Sequence, residues 1–428
     1  MCVNHSVVID IGQVRVGMYV QLDVGWLVHP FLVNNFKITS QKQIQALKGL
    51  GLQSVRYVPS KSDVASLPAG PAQPEVAAPE PAEASAPAPA AEAKRSVDAW
   101  RYRIRSCEQR FVQVCSDYEL LERTAQPSPA QARVVSEELV DSCLAEIDQA
   151  KDVVLHLLSE QIPDAAGSHS VNVSVLSLLL GRTLGMAGQP LRNLGLAALL
   201  HDVGKQVHPP AWGIHGMNVH QRAEGSAERV RYEMHVGESV AITERMALPA
   251  DVSHIIAQHH EWADGTGFPL RLVAADLERS GQILCLVNGY DRLCNPLDTS
   301  AALTPHEILA LLYSQYREKF LPEVLTAFVR MMGVYPPGSL IELNDGRFGL
   351  VTSVNSAYPL KPSIMVHDPG AVDGPLLLLE LQASPQLGIR RGLNPSRLPR
   401  KVLDALLPRQ RICYYFEKGS GVGPAKTL

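Results

Sequence analysis

Nine of the 14 histidines in this 428-residue chain fall between His169 and His260. Several stand at the ends of apolar runs, and imidazoles gathered with carboxylates suggest a metal. Taken singly, each histidine is more often a core residue than a ligand; the grouping is what points to a centre. The densest group is LLHDVGK, in which an apolar helix delivers His201 and Asp202 together and Gly204 lets the chain turn before Lys205. Neighbouring helical residues point about 100° apart. The pair can therefore share a centre only near a helix end, or with the two oxygens of Asp202 divided between two ions. The second group, HHEWADGTGFP, sets adjacent His259 and His260 before a loop containing Asp264, Gly265, Gly267 and Pro269. Its glycines allow positive φ and close approach of backbone to a ligand. An ordinary turn after a helix accounts for the glycines and the proline, but not for the paired histidines.

The elements that must position these groups are legible from periodicity. From residue 161 to about 332 the chain reads as helix after helix, with VNVSVLSLLLG and LRNLGLAALL apolar on most sides. Ahead of them, alternating apolar residues from Val14 to Val24 predict a half-buried strand, a short helix carries Ile44 and Leu47, and a strand returns over 53–58. Residues 64–93 hold 12 alanines and 7 prolines, the composition of an extended spacer. Two helices broken at Pro127 and Pro129 connect it to the histidine-bearing segment. After Gly333, SLIEL and GLVTSV flank Asn344-Asp345-Gly346, a hairpin signal, and the chain ends in a strand-like RICYYFE. The expected architecture is multidomain: a small β-rich domain over 1–63, an Ala/Pro linker over 64–95, connecting helices over 96–160, an all-α bundle over 161–335 and a small α+β module over 336–428.

Composition narrows the function class. With 46% hydrophobic and 19% charged residues and a net charge of −4, nothing draws the chain toward nucleic acid polymers, so a polyanionic ligand needs a local site. Seven cysteines without a CxxC pair suit a reducing, cytoplasmic setting. The N-terminus lacks a basic and apolar leader, and no apolar run approaches the roughly 20 residues that span a bilayer.

HDVGK followed by HHEWADGTGFP resembles the HD-GYP family of the HD phosphohydrolase superfamily, over about residues 160 to 335. The opening segment, VGMYVQLDVGWLVHPFLVNNFKI, resembles the small domain that often precedes HD-GYP domains in proteobacteria, and the C-terminal segment resembles the tail that accompanies this arrangement. The likeness implies a bacterial signalling hydrolase acting on the second messenger cyclic di-GMP. It also implies two transition-metal ions, iron or manganese, held by His169, His201, Asp202, His235, His259 and His260, with Asn288 at a further ligand position. Asp202 and Lys205 take catalytic roles in this reading; Lys205, Asp264, Gly265 and Gly267 bind substrate. Partners implied are cyclic di-GMP, signalling proteins such as diguanylate cyclase domains, and a second copy of the chain as homodimer.

The chain departs from the family's pattern in several places. Asn288 stands where the family has an aspartate ligand, and an amide lacks the charge that balances a divalent ion. Gln282 replaces an arginine, Phe268 a tyrosine and Ala165 the glutamate that accompanies a third ion. The segment between His201 and His235 is also unlike the family's. These departures motivate an alternative: a degenerate domain acting as a nucleotide receptor or protein-interaction signalling module.

Overall fold

The computed structural model describes residues 7–21, 35–49, 54–59, 62–63, 90–150, 152–158, 167–207, 225–296, 303–367, 376–384, 386–406 and 411–418. Contacts divide the chain into two compact units, Met1–Pro87 and Ala88–Leu428. Most of the expected spacer, Ala165, and His208, His215 and His220 of the unfamiliar segment lie outside the described residues.

The first unit is a four-stranded antiparallel sheet in the order β1-β4-β2-β3, from β1 (Val7–Asp10), β2 (Tyr19–Gln21), β3 (Asn35–Lys37) and β4 (Ser54–Tyr57). The helix α1 (Gln41–Gly49) precedes β4, and Ile44 and Leu47 join Met18, Val20, Ile38, Val55 and Tyr57 in its core. The strand expected from Val14 is shorter than its alternation suggests: Gly17 adopts φ 94°, Val16 is exposed, and pairing begins at Tyr19. A positive-φ glycine turns the chain out of the extended region, so the apolar alternation runs through a bend. Leu22 to Val24 lie outside the described residues.

The second unit opens with α2 (Ala90–Thr124) and α3 (Pro129–Asp148), followed by β5 (Val153–Leu157). Residues 90–95, expected in the linker, are helical; three of the first four are alanine, the best helix former, and they extend a helix whose stripe of Trp100, Ile104, Cys107, Phe111, Cys115, Tyr118 and Leu121 is buried. The helices α4 (Gly167–Thr183), α5 (Gly188–Leu200), α6 (Ala227–Arg245), α7 (Ala250–Ala257), α8 (Arg279–Cys294), α9 (Pro305–Ser314) and α10 (Pro322–Met332) form the bundle. As its composition requires, α4 is buried along nearly its whole length, packed between α5 and α8.

The remaining elements are β6 (Leu340–Leu343), β7 (Phe348–Asn355), β8 (Ser363–His367), β9 (Leu377–Glu380), β10 (Ile389–Leu393), α11 (Arg400–Leu406) and β11 (Tyr414–Lys418). They do not make a module of their own. β5, from the segment read as connecting helices, inserts between β7 and β11 in an antiparallel sheet ordered β10-β6-β7-β5-β11, with β8 and β9 continuing off β7. The reason lies in VVLHL: it is a five-residue run, apolar but for His156, too short to distinguish strand from helix by period, and only a distant partner strand settles it. The expected β6–β7 hairpin is present, with Gly346 at φ 87° in its turn.

Candidate metal centre

Five short stretches of chain converge on one carboxylate. His169 lies in the first turn of α4; His201 caps α5 and Asp202 follows it; His235 is on α6; His259 and His260 follow α7; and α8 contributes Asn288, Asp291 and Arg292. Placing His201 and Asp202 at the helix end meets the condition their adjacency imposes, and the two oxygens of Asp202 do face different histidines. Oδ2 lies 3.4 Å from both His169 Nε2 and His201 Nε2. Oδ1 lies 3.4 Å from His235 Nε2 and 3.9 Å from His259 Nε2.

The outer nitrogen of four of these rings is already committed. Nδ1 of His201 donates to the carbonyl of Ala198 at 2.8 Å, Nδ1 of His259 to that of Ile256 at 2.7 Å, and Nδ1 of His235 to that of Tyr232. His169 differs, donating from Nδ1 to Asp291 Oδ2 at 2.5 Å. A neutral imidazole with its proton on Nδ1 presents a lone pair at Nε2. Yet Nε2 of His169 faces that of His201 at 3.2 Å, and the pair from His235 and His259 is equally close. Lone pairs so placed repel each other unless a cation lies between them.

Burial keeps the rings of His201, His235, His259 and His260 neutral. Burial pushes the His201 imidazole below its ordinary range and that of His235 to about 3, and holds His259 and His260, each beside other imidazoles, well below it. Burial also opposes ionisation of Asp202, but the cations of Lys205 and Arg292 beside it prevail and hold the carboxyl well below the usual carboxylate range. Burial and then Arg292 lower Lys205 to about 8.

The donor set fits metal. Two groups, His235 with His259 and His260, and His169 with His201 and Asp202, each bring one ligand atom per residue within 4.8 Å of the others. Asp202 Oδ1 and Asn288 Oδ1 are buried without a hydrogen-bond partner among the described residues. Orphaned buried oxygens are costly, and bound ions are a common reason for them.

The loop after His260 is braced by its own chain. Glu261, buried, accepts from the backbone N–H groups of Leu270, Arg271 and Leu272. Asp264 accepts from Thr266 and pairs with Lys319 at 2.6 Å, which also lies over the Trp262 ring. Gly265 has φ 78°. A Cβ at Gly267 would come within 2.3 Å of the Trp262 nitrogen, so the close approach it permits is to the loop's own backbone. Phe268 stacks on His260 with ring centroids 4.5 Å apart, and Gln282 bridges the Glu261 carbonyl and the Leu321 N–H.

Of the expected site residues, Lys205 reaches the centre, with Nζ 2.5 Å from Asp202 Oδ2. Asn288 is buried one helical turn from Arg292. Asp264, Gly265 and Gly267 shape the flanking loop. Three contributors escaped the sequence: Arg292, whose Nη2 is 2.5 Å from Asp202 Oδ2; Glu261; and Tyr232, whose hydroxyl lies 3.4 Å from His260 Nε2 and whose ring underlies Lys205. Arg292 carried a signal, since it stands four residues after Asn288 and so on the same helical face.

Residues 134–324 match the family described as the HD domain, and residues 6–159 match a domain of unknown function, DUF3391. The chain carries an HD domain. Among curated proteins, a cyclic di-GMP phosphodiesterase of Pseudomonas aeruginosa is 28% identical to this HD protein over 376 residues, 84% of each chain. A cyclic di-GMP phosphodiesterase response regulator of Xanthomonas campestris pv. campestris is 27% identical over 50% of this chain and 57% of its own. A 3'3'-cGAMP-specific phosphodiesterase of Vibrio cholerae is 22% identical over 53% of this chain and 47% of its own. Among the described residues of the HD protein, no helix is long and apolar enough to cross a membrane.

Proposed function

We propose that this HD protein is a metal-dependent phosphodiesterase hydrolysing cyclic di-GMP. The observation that carries the reading is the single carboxylate of Asp202 set between two groups of inward-facing imidazoles, with Lys205 beside it. His169, His201, Asp202, His235, His259, His260 and Asn288 would hold two transition-metal ions, iron or manganese, by the preference of mixed imidazole and carboxylate ligands. Bound there, such ions activate water for in-line attack and offset the charge that develops on the phosphoryl oxygens.

The chain's own groups do the rest. The Nδ1 hydrogen bonds fix ring tautomer and direction, the hydrophobic packing of α4, α5 and α8 excludes water, and Lys205 places a positive charge next to the centre, suited to a phosphate. Asp264, Gly265 and Gly267 hold the loop that borders His260, where a nucleotide would bind. The substrate choice rests on the curated relatives, two of which are named for cyclic di-GMP and one for a related cyclic dinucleotide. Diguanylate cyclase domains as partners follow from the family likeness, a homodimer from the helices that precede His169, and a cytoplasmic setting from seven cysteines without a CxxC pair.

The test is hydrolysis by the full chain, reduced and loaded with manganese or iron, of cyclic di-GMP and of 3'3'-cGAMP side by side. Turnover of cyclic di-GMP, lost in Asp202→Asn, supports the proposal; turnover of 3'3'-cGAMP alone transfers the activity to that substrate. Binding of cyclic di-GMP without turnover in any metal overturns the enzyme reading in favour of a receptor.

A further inference from the structure

We infer that the two halves of the centre bind metal unequally, because the Arg292 guanidinium occupies the cation position of one of them; the inference rests on the metal reading above. The halves share Asp202 but not its surroundings. Toward His235, His259 and His260 the carboxylate turns Oδ1, which has no hydrogen-bond partner among the described residues. Toward His169 and His201 it turns Oδ2, which already accepts from Lys205 Nζ and Arg292 Nη2, each at 2.5 Å. An ion entering the first half meets three neutral imidazoles and a bare anionic oxygen. One entering the second meets the same carboxylate behind two cations, while the Asp291 carboxylate on α8 is already engaged by His169 Nδ1 at 2.5 Å.

Arg292 is the removable part of that barrier. An arginine stays protonated at any working pH, so the guanidinium cannot give way by losing its charge. It must swing off Oδ2, and its side chain, 19% exposed, is not locked in place by burial. Lys205 is the lesser obstacle, a single ammonium on a flexible stem with the Tyr232 ring already beneath it. The first ion therefore binds in the His235 half, and the second binds only by displacing Arg292. The arginine is a positioning residue for metal occupancy: it offsets the charge of Asp202 while the second place is empty.

The experiment titrates the metal-stripped full chain with manganese, following bound ion by calorimetry and exchange-coupled pairs by electron paramagnetic resonance. Wild-type protein should show one tight and one weak ion, with the coupled signal appearing only at the second. Arg292→Ala and Arg292→Gln should tighten the second ion by roughly 10–100-fold, the range over which partners of metal ligands tune affinity, and leave the first nearly unchanged. Arg292→Lys, which keeps the charge, should keep the second ion weak and so separate charge from packing. Two equal ions in the wild type, or a second ion unmoved in the glutamine variant, overturns the inference while leaving the metal reading intact. No bound ion in any form overturns both.

Discussion

The two sides of the metal centre are built by different means. On the His260 side nearly every support is local: the Nδ1 atoms of His235 and His259 donate to carbonyls three residues back, Phe268 stacks on a histidine eight residues before it, and Glu261 gathers N–H groups from residues 270 to 272. On the other side His201 is also held locally, by the Ala198 carbonyl, but the supports of His169 arrive from far along the chain. His169 is oriented by Asp291, Asp291 accepts from Asn172 and Asn295, and Asn172 accepts in turn from the backbone N–H of Tyr414 in β11. A side assembled locally forms as its segment folds; a side assembled at long range forms only when the sheet and the bundle have docked.

The largest effect belongs to the one residue both sides share. Asp202→Ala should remove both ions and reduce hydrolysis by about 10³-fold or more, since a bound metal supplies several kcal/mol at the transition state; metal analysis and a rate assay check it together. If one ion remains, the sides are more independent than their common carboxylate implies. Next is Asp291→Asn. The amide can accept from His169 but without charge, so affinity on the His169 side alone should fall by roughly 10–100-fold. A loss shared equally by both ions would erase the distinction.

How much of this could be read from the residues follows the same division. The local side was legible: HHEWADGTGFP and the helix before it are contiguous, and the histidine pair and its loop lie where that run places them. The bundle helices were legible too, because α4 and α5 have the apolar pattern that deep burial demands. Asp291, three residues after Asn288, orients His169. The strand β5 and its pairing with β11 were not legible, since VVLHL has no period of its own and its partner lies more than 250 residues on. Arg292 could be placed on the helical face of Asn288, but not its ion pair with Asp202, which crosses 90 residues of sequence.

Gly204 offers a test of the joint between α6 and the turn after His201. A Cβ there would stand 2.4 Å from the His235 carbonyl oxygen and 2.5 Å from the Ser239 nitrogen, both backbone atoms that cannot swing aside. Gly204→Ala should cost about 1–3 kcal/mol, as overpacking does, read as a lower midpoint in denaturant. It should also weaken the ion nearer His235 first. The smallest effect concerns opening without unfolding. Burial pushes the thiols of Cys285, on the local side, and Cys413, beside β11, up from their ordinary range, so neither alkylates until its surroundings open. Because β11 is an edge strand and α8 is central, Cys413 should label several-fold faster with iodoacetamide at about pH 8, as elements of low local stability do. Equal rates by mass spectrometry would mean the two sides open as one.

The link from Tyr414 through Asn172 and Asp291 to His169 also bears on how the protein is made. Tyr414, the donor, and Asn172, which accepts from it, are 242 residues apart, and translation runs from the second to the first. At about 5–20 residues per second, a ribosome spends tens of seconds past Asn172 before Tyr414 exists. During that interval the nascent chain can hold its His260 side ready while Asn172, which steadies the partner of His169, still awaits its own donor. A product cut short before β11 would thus carry all of the ligand residues and still lack the hydrogen bond from Tyr414 that steadies the support of His169.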